Sequence, residues 1–166
     1  VFRKRAGATI VSTRPQRIAE RTEAQKQQAQ KFRDASHYAV KVLKDPIVKD
    51  AYALRAKEGL TAYNVAVADY LIVPDISLVD FSLYDGSKGS TLTIRAQDDH
   101  LVSEVYMSIY GTDGTLLEEG PATPHENGLD WVYTTKKAST PVQGHRLEVQ
   151  ASDLPGNQAQ RSEVVN

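Results

Sequence analysis

The 166 residues carry 20 Lys and Arg against 21 Asp and Glu, a net charge of −1, with 40% hydrophobic residues; that is room for one ordinary domain plus a smaller attachment, and enough apolar material for a packed core. The absence of cysteine excludes disulfides and thiolate metal sites, and no window approaches the roughly 20 apolar residues of a membrane helix. The chain opens at Val1 without an initiator Met or an apolar leader run, so a signal peptide is absent or already removed, and cytoplasmic synthesis or membership of an assembled particle is expected over secretion.

Residues 1–33 hold nine basic side chains, Arg3, Lys4 and Arg5 and Arg14 and Arg17 among them, against Glu20 and Glu23, a local net of +7. Residues 34–166 carry eleven basic and nineteen acidic groups, a net of −8. Such a split suggests a basic arm suited to an acidic surface, either a polyanion or the body of another copy. Residues 1–21 have no helical periodicity and read as an extended arm. Within it Ala8 to Thr13, centred on Ile10 and Val11, is β-branched enough to pair as a strand where an open edge is offered.

Thr22 followed by Gln25 fits a capping box and predicts a helix from there to Lys44. Its first half is polar nearly all round; its second places Phe32, Ala35, Ala39 and Val42 on one face. Asp45-Pro46 ends that helix and caps another, in which Ile47, Ala51 and Leu54 make the apolar face, with Gly59 as its stop. Thr61 caps a third, from Ala62 to about Leu71, burying some of Tyr63, Val65, Ala66 and Ala68. Residues 22–73 are thus a helical segment of short helices that need mutual packing.

From residue 74 the pattern is all β. Seven strands are expected: Ile76–Leu83, Ser90–Gln97, Val102–Tyr110, Thr115–Glu119, Asp130–Thr135, one from about His145, and Gln158–Val165. Leu92, Ile94, Val105, Met107, Ile109, Leu147 and Val149 point to the core by their alternation. In the last hairpin Leu147, Val149 and Ala151 alternate with Arg146, Glu148 and Gln150, and Pro155-Gly156 suits the centre of a type II turn. The fold class is α+β: a basic arm, three short helices and an antiparallel β-sandwich.

The strand ends Ala96-Gln97-Asp98-Asp99 and Asp153-Leu154-Pro155-Gly156-Asn157, with Trp131-Val132-Tyr133 between them, resemble bacterial immunoglobulin-like modules. The front, with Arg21-Thr22-x-x-Gln25 and Gly59-x-x-Ala62-Tyr63-Asn64-x-Ala66, is similar to small uncharacterised bacterial proteins that join such a module to a helical leader. The resemblance implies an immunoglobulin-like sandwich and leaves function open, since that architecture hosts adhesion, carbohydrate binding and assembly alike.

Candidate sites are few. Asp98, Asp99 and Asp153 close two strands and would suit Ca²⁺ if they met at one end of the sandwich; short carboxylates in turns more simply bond backbone amides, and no metal or cofactor is expected. His37, His100, His125 and His145 are scattered, without the i, i+4 spacing of a metal pair, and His100 reads as an exposed loop residue. Glu118 and Glu119 are neighbours on a strand and face opposite ways, and no nucleophile or phosphate motif occurs, so the chain does not read as an enzyme. Tyr106 and Tyr110 share an outward strand face, with Trp131 and Tyr133 as further members of a candidate ligand platform, although a lone Trp is commonly core. Three functions remain: a structural subunit that self-associates through its basic arm and helix into a filament, coat or injection-type particle; a module binding carbohydrate or another cell-surface ligand; and a nucleic-acid-associated protein using the basic leader on phosphates.

Overall fold

The computed structural model describes residues 2–5, 8–11 and 20–166, with side chains from residue 9 onward among them. The chain divides into two compact units, Val1–Leu71 and Ile72–Asn166.

The first unit opens with two strands, β1 (Phe2–Arg5) and β2 (Ala8–Val11), paired antiparallel with Phe2 opposite Val11 and Arg5 opposite Ala8. This corrects the expected extended arm: the β-branched stretch has a partner two residues upstream, and a contact that close in sequence closes a loop at little entropic cost. Ser12, Thr13, Arg14 and Arg17 lie outside the described residues.

Helix α1 (Glu23–Val42) starts at the expected capping box: Thr22 Oγ1 accepts from the Gln25 amide at 3.3 Å, and Gln25 Oε1 accepts from the Thr22 amide at 3.1 Å. Ala35 and Ala39 are buried, with Tyr38 and Val42 packed beside them, while Phe32 is turned outward. Helix α2 (Pro46–Arg55) is capped by Asp45, whose Oδ1 accepts from the Ile47 amide at 2.9 Å. Helix α3 (Ala62–Leu71) begins at a reciprocal pair, Thr61 Oγ1 accepting from the Asn64 amide and Asn64 Oδ1 from the Thr61 amide. It packs against both other helices and buries Ala66, Val67 and Asp69, whereas Tyr63 is exposed.

The face that α2 buries is not the expected one. Tyr52 is buried, with Val48 packed beside it, while Ile47 and Leu54 are 80% and 88% exposed. A polar network selects that face. Tyr52 Oη donates to Asp69 Oδ2 at 2.5 Å and shares a 2.9 Å hydrogen bond with Tyr38 Oη; three polar groups that satisfy one another can be buried where one alone cannot.

The second unit contains eight strands, one more than the sequence predicts: β3 (Asp75–Asp80), β4 (Thr91–Gln97), β5 (Val102–Tyr110), β6 (Leu116–Pro121), the short β7 (Thr123–Pro124), β8 (Asp130–Thr134), β9 (Arg146–Asp153) and β10 (Gln158–Val164). They form two antiparallel four-stranded sheets, ordered β3-β4-β8-β7 and β10-β9-β5-β6. One core joins both sheets. Leu92 and Ile94 of one and Val105, Met107, Ile109, Leu147 and Val149 of the other are at most 1% exposed, all seven as the alternation requires. The β9–β10 turn has Gly156 at a φ of +96°, the left-handed conformation that Gly adopts without steric cost.

Candidate functional site

The strand register sorts the four aromatic candidates. On β5, Tyr106 and Tyr110 alternate with the buried Val105, Met107 and Ile109 and lie half-buried on the outer side of their sheet. Trp131 and Tyr133 belong to the other sheet. On β8 they sit opposite Ile94 and Leu92, so they turn inward: Tyr133 is 1% exposed and Trp131 packs against the core. The expected single platform is therefore corrected to two tyrosines, because a strand's side chains take the face that their cross-strand partners take.

Around Tyr106 and Tyr110 the register builds a grid. Tyr106 stands beside Gln150, and Gln150 beside Gln160; Ser108 stands beside Glu148, and Glu148 beside Ser162; Tyr110 stands beside Arg146. On the far side of β5, Ser108 faces Glu119 of β6. The first two rows line a shallow groove over β5, β9 and β10. Gln160 Nε2 donates to Gln150 Oε1 at 3.3 Å. Arg146 forms an ion pair with Glu148 and holds its guanidinium carbon 4.2 Å from the centre of the Tyr110 ring, a cation–π contact that fixes both side chains. The polar alternation Arg146, Glu148, Gln150 was legible in the sequence; that Gln160 and Ser162 extend it onto a third strand was not.

Asp98, Asp99 and Asp153 influence one another at one end of the second unit. Asp99 is exposed as a residue, but partial desolvation of its carboxyl pushes it above the usual range, and the neighbouring Asp98 charge adds to it. Asp153 is also raised, by burial first, with Asp98 again contributing. Turn chemistry occupies Asp153: its Oδ1 accepts from the Gly156 and Asn157 amides at 2.8 and 2.6 Å, and its Oδ2 from Asn157 Nδ2 at 2.7 Å. Asp98 has no such hydrogen bonds on either oxygen. Among the described residues of this unit, Asp98 and Asp99 bring carboxylate oxygens within 4.8 Å of each other, close enough to share a hard cation; Asp153 is not part of that group.

Glu118 and Glu119 face opposite ways, as adjacent strand residues must. Glu119 is exposed, while the buried Glu118 accepts from Tyr133 Oη at 2.7 Å and from the Lys136 and Lys137 amides at 2.5 and 3.1 Å. Burial alone would raise its carboxyl, but those three donors hold it below its ordinary value. Two histidines depart from the expectation of scattered loop residues: His100 is 5% exposed, and His145, equally buried, shares a 2.9 Å hydrogen bond through Nδ1 with Tyr84 Oη.

In the first unit the expected assembly residues Arg3, Lys4 and Arg5 lie on β1, and Ile10 and Val11 lie exposed on β2. Ile47, Ala51 and Leu54, one stripe of α2, are exposed together. The sequence identified that stripe as apolar but placed it in the core. Among the described residues no helix is long and apolar enough to cross a membrane.

No family model matches the chain, and no curated protein matches it. Solved structures offer distant likenesses. An engineered protein aligns over 59% of this chain and 21% of its own, at 16% identity and a TM-score of 0.38. A tetra-tandem repeat in the extending region of a large adhesion protein aligns over 57% of this chain and 24% of its own, at 17% identity and a TM-score of 0.36. A lipoprotein from Bacteroides thetaiotaomicron aligns over 57% of this chain and 78% of its own, at 21% identity and a TM-score of 0.30. The chain thus spans under a quarter of the length of the first two.

Proposed function

We propose that the chain is a structural subunit that self-associates, the basic first unit of one copy seating on the acidic second unit of another. The observation that carries this reading is the stripe Ile47, Ala51 and Leu54 on α2, whose large members are 80% and 88% exposed. A helix in so small a unit gains little by presenting two long aliphatic side chains to water, and burying each against a partner is worth about 1.5–3 kcal/mol.

Charge names the partner. Residues 1–71 hold fourteen Lys and Arg against seven Asp and Glu, a net of +7, and residues 72–166 hold six against fourteen, a net of −8. The two units are opposite in sign, the first unit's excess lying in residues 1–33, so every copy carries charge of each sign. Donor and acceptor patches differ, and a contact of that kind propagates into a ring or a filament instead of stopping at a dimer. The second unit is read as an immunoglobulin-like sandwich. Naming β3 to β10 as A, B, C, C′, D, E, F and G makes the observed orders A-B-E-D and G-F-C-C′, the two-sheet arrangement of that fold.

Sedimentation velocity on the full chain at low and high salt tests the proposal. Self-association is expected at low salt, reduced at high salt and abolished by deleting residues 1–14. A full chain that stays monomeric at high concentration and low salt overturns it.

A further inference from the structure

The outer side of the β10-β9-β5-β6 sheet carries two adjacent rows with no aliphatic side chain: Tyr106, Gln150 and Gln160 in one, Ser108, Glu148 and Ser162 in the next. Together they line a groove. We propose that this groove is a binding site for a neutral oligosaccharide, a role independent of self-association.

The chemistry of the lining selects that ligand. A sugar hydroxyl is donor and acceptor at once and needs partners of both kinds at close spacing. The two glutamine amides supply donors and acceptors, the two serine hydroxyls act as either, and the Glu148 carboxylate accepts from two neighbouring hydroxyls. The Gln160-to-Gln150 hydrogen bond at 3.3 Å relates the two amides while leaving the second Gln160 N–H, both Gln150 N–H groups and the Gln160 carbonyl to a ligand. Pre-setting those groups lowers the ordering cost of binding. The half-buried Tyr106 ring closes one end, and an aromatic ring gives the C–H face of a sugar a flat apolar surface beside polar partners.

The same residues disfavour other ligands. A phosphate or sulfate chain needs uncommitted cations. Arg161, opposite the inward Val149, turns its guanidinium away from the groove and binds it to Glu163 and to the Ile76 and Ser77 carbonyls at 2.7 to 3.0 Å, and Arg146 is held by Glu148 and the Tyr110 ring. Glu119, exposed beside Ser108, repels an anion further. An apolar peptide finds no aliphatic pocket. Across β5, β9 and β10 the two rows span about 10 Å, which suits a short run of sugar units better than a single one.

Titration of the ¹⁵N-labelled full chain with cello-, malto-, xylo-, manno- and chito-oligosaccharides, followed by NMR, tests the site; concentrations of about 5 mM reveal millimolar affinities. The expected result is saturable movement of the Gln150 and Gln160 side-chain amide signals by at least one of these sugars. Tyr106→Ala should weaken that binding about tenfold with the thermal midpoint little changed. Gln160→Ala, on an edge strand with an exposed side chain, should weaken it without touching the fold, and so decides the matter if Tyr106→Ala is unstable. The proposal is overturned if none of the sugars moves those amides, if both variants bind as the parent does, or if a heparin oligosaccharide or a lysine-rich peptide saturates the groove instead.

Discussion

Tyr52 Oη donates to Asp69 Oδ2 at 2.5 Å, both residues fully buried, across 17 residues of sequence. This bond decides which side of α2 faces inward. Burial first, and then the Asp69 partnership, keeps the phenol protonated far above its ordinary range, so the donor is never lost to pH. Tyr52→Phe preserves the ring's packing and removes the hydroxyl. It should lower the stability of the first unit by about 1–3 kcal/mol, the range for a buried polar group that loses its partner. Denaturant unfolding followed by far-UV circular dichroism checks this, and an unchanged midpoint would mean that apolar packing alone orients the helix.

Val149 measures how far the strand register holds. It is 1% exposed and stands opposite Met107 and Arg161. Val149→Asp would place a carboxylate among Met107, Leu147 and their neighbours, and should cost more than about 4 kcal/mol. A variant that melts with the parent would place Val149 outside the core.

The contrast between these two sites shows what could be read from residues alone. Strand faces were legible because one alternation, Leu147, Val149, Ala151 against Arg146, Glu148, Gln150, leaves a single choice of inward side, and a slip by one residue would bury charge. The α2 face was not legible. Ile47, Ala51 and Leu54 are the more apolar set, and the alternative set of Val48 and Tyr52 prevails through partners on two other helices, Asp69 and Tyr38. Tyr133 was misplaced for a related reason. An inward tyrosine needs a buried acceptor, and Glu118, 15 residues away on a different sheet, supplies it. The groove needed three strands in register, of which the sequence displayed each only by itself.

His145 should make stability pH-dependent. Burial holds its imidazole below the usual value of 6.5, so the native state prefers the neutral ring, and Tyr84 occupies Nδ1 at 2.9 Å. The unfolded chain takes up the proton near its ordinary midpoint, so it binds more protons than the native state below that pH. Stability is then complete above about pH 6.5 and falls as the pH drops toward the depressed native value. His145→Gln should flatten the melting temperature between neutral pH and about pH 5. Glu118, also lowered in the native state, loses its contribution as the pH falls below its ordinary value of 4.5 and its carboxylate takes up a proton. A parent profile as flat as the variant's would contradict the assignment.

Asp99 contributes with the opposite sign. Its carboxyl is raised by partial desolvation and by the Asp98 charge, so the ionised form is disfavoured in the native state, and stability is regained as the pH falls through the raised value toward the unfolded one. Asp99→Asn should therefore raise the melting temperature at neutral pH, with the gain vanishing toward about pH 4. Asp153 already commits its oxygens to the Gly156 and Asn157 donors and adds little to any cation held by Asp98 and Asp99. Millimolar calcium is accordingly expected to leave the parent's melting temperature unchanged; a rise lost in Asp99→Asn would identify an ion site.

The exposed stripe of α2 yields the sharpest test of self-association. Leu54 is 88% exposed, so replacing it costs the isolated chain almost nothing: no cavity opens, and surface substitutions usually change stability by less than about 0.5 kcal/mol. In an assembled state the same side chain would be desolvated against a neighbouring copy, and a carboxylate there would lose the apolar contact and carry an added charge toward an acidic unit of net −8. Leu54→Glu and Ile47→Glu should each weaken self-association about tenfold or more while melting with the parent. Exposed ion pairs are individually weak and screened by salt, so high salt should slow assembly and shift it partially, whereas the glutamate variants should associate more weakly than the parent at every ionic strength. Sedimentation velocity of parent and variants across a salt series separates the two contributions. Variants that assemble as the parent does would remove α2 from the interface and leave the basic segment ahead of α1 to account for the association.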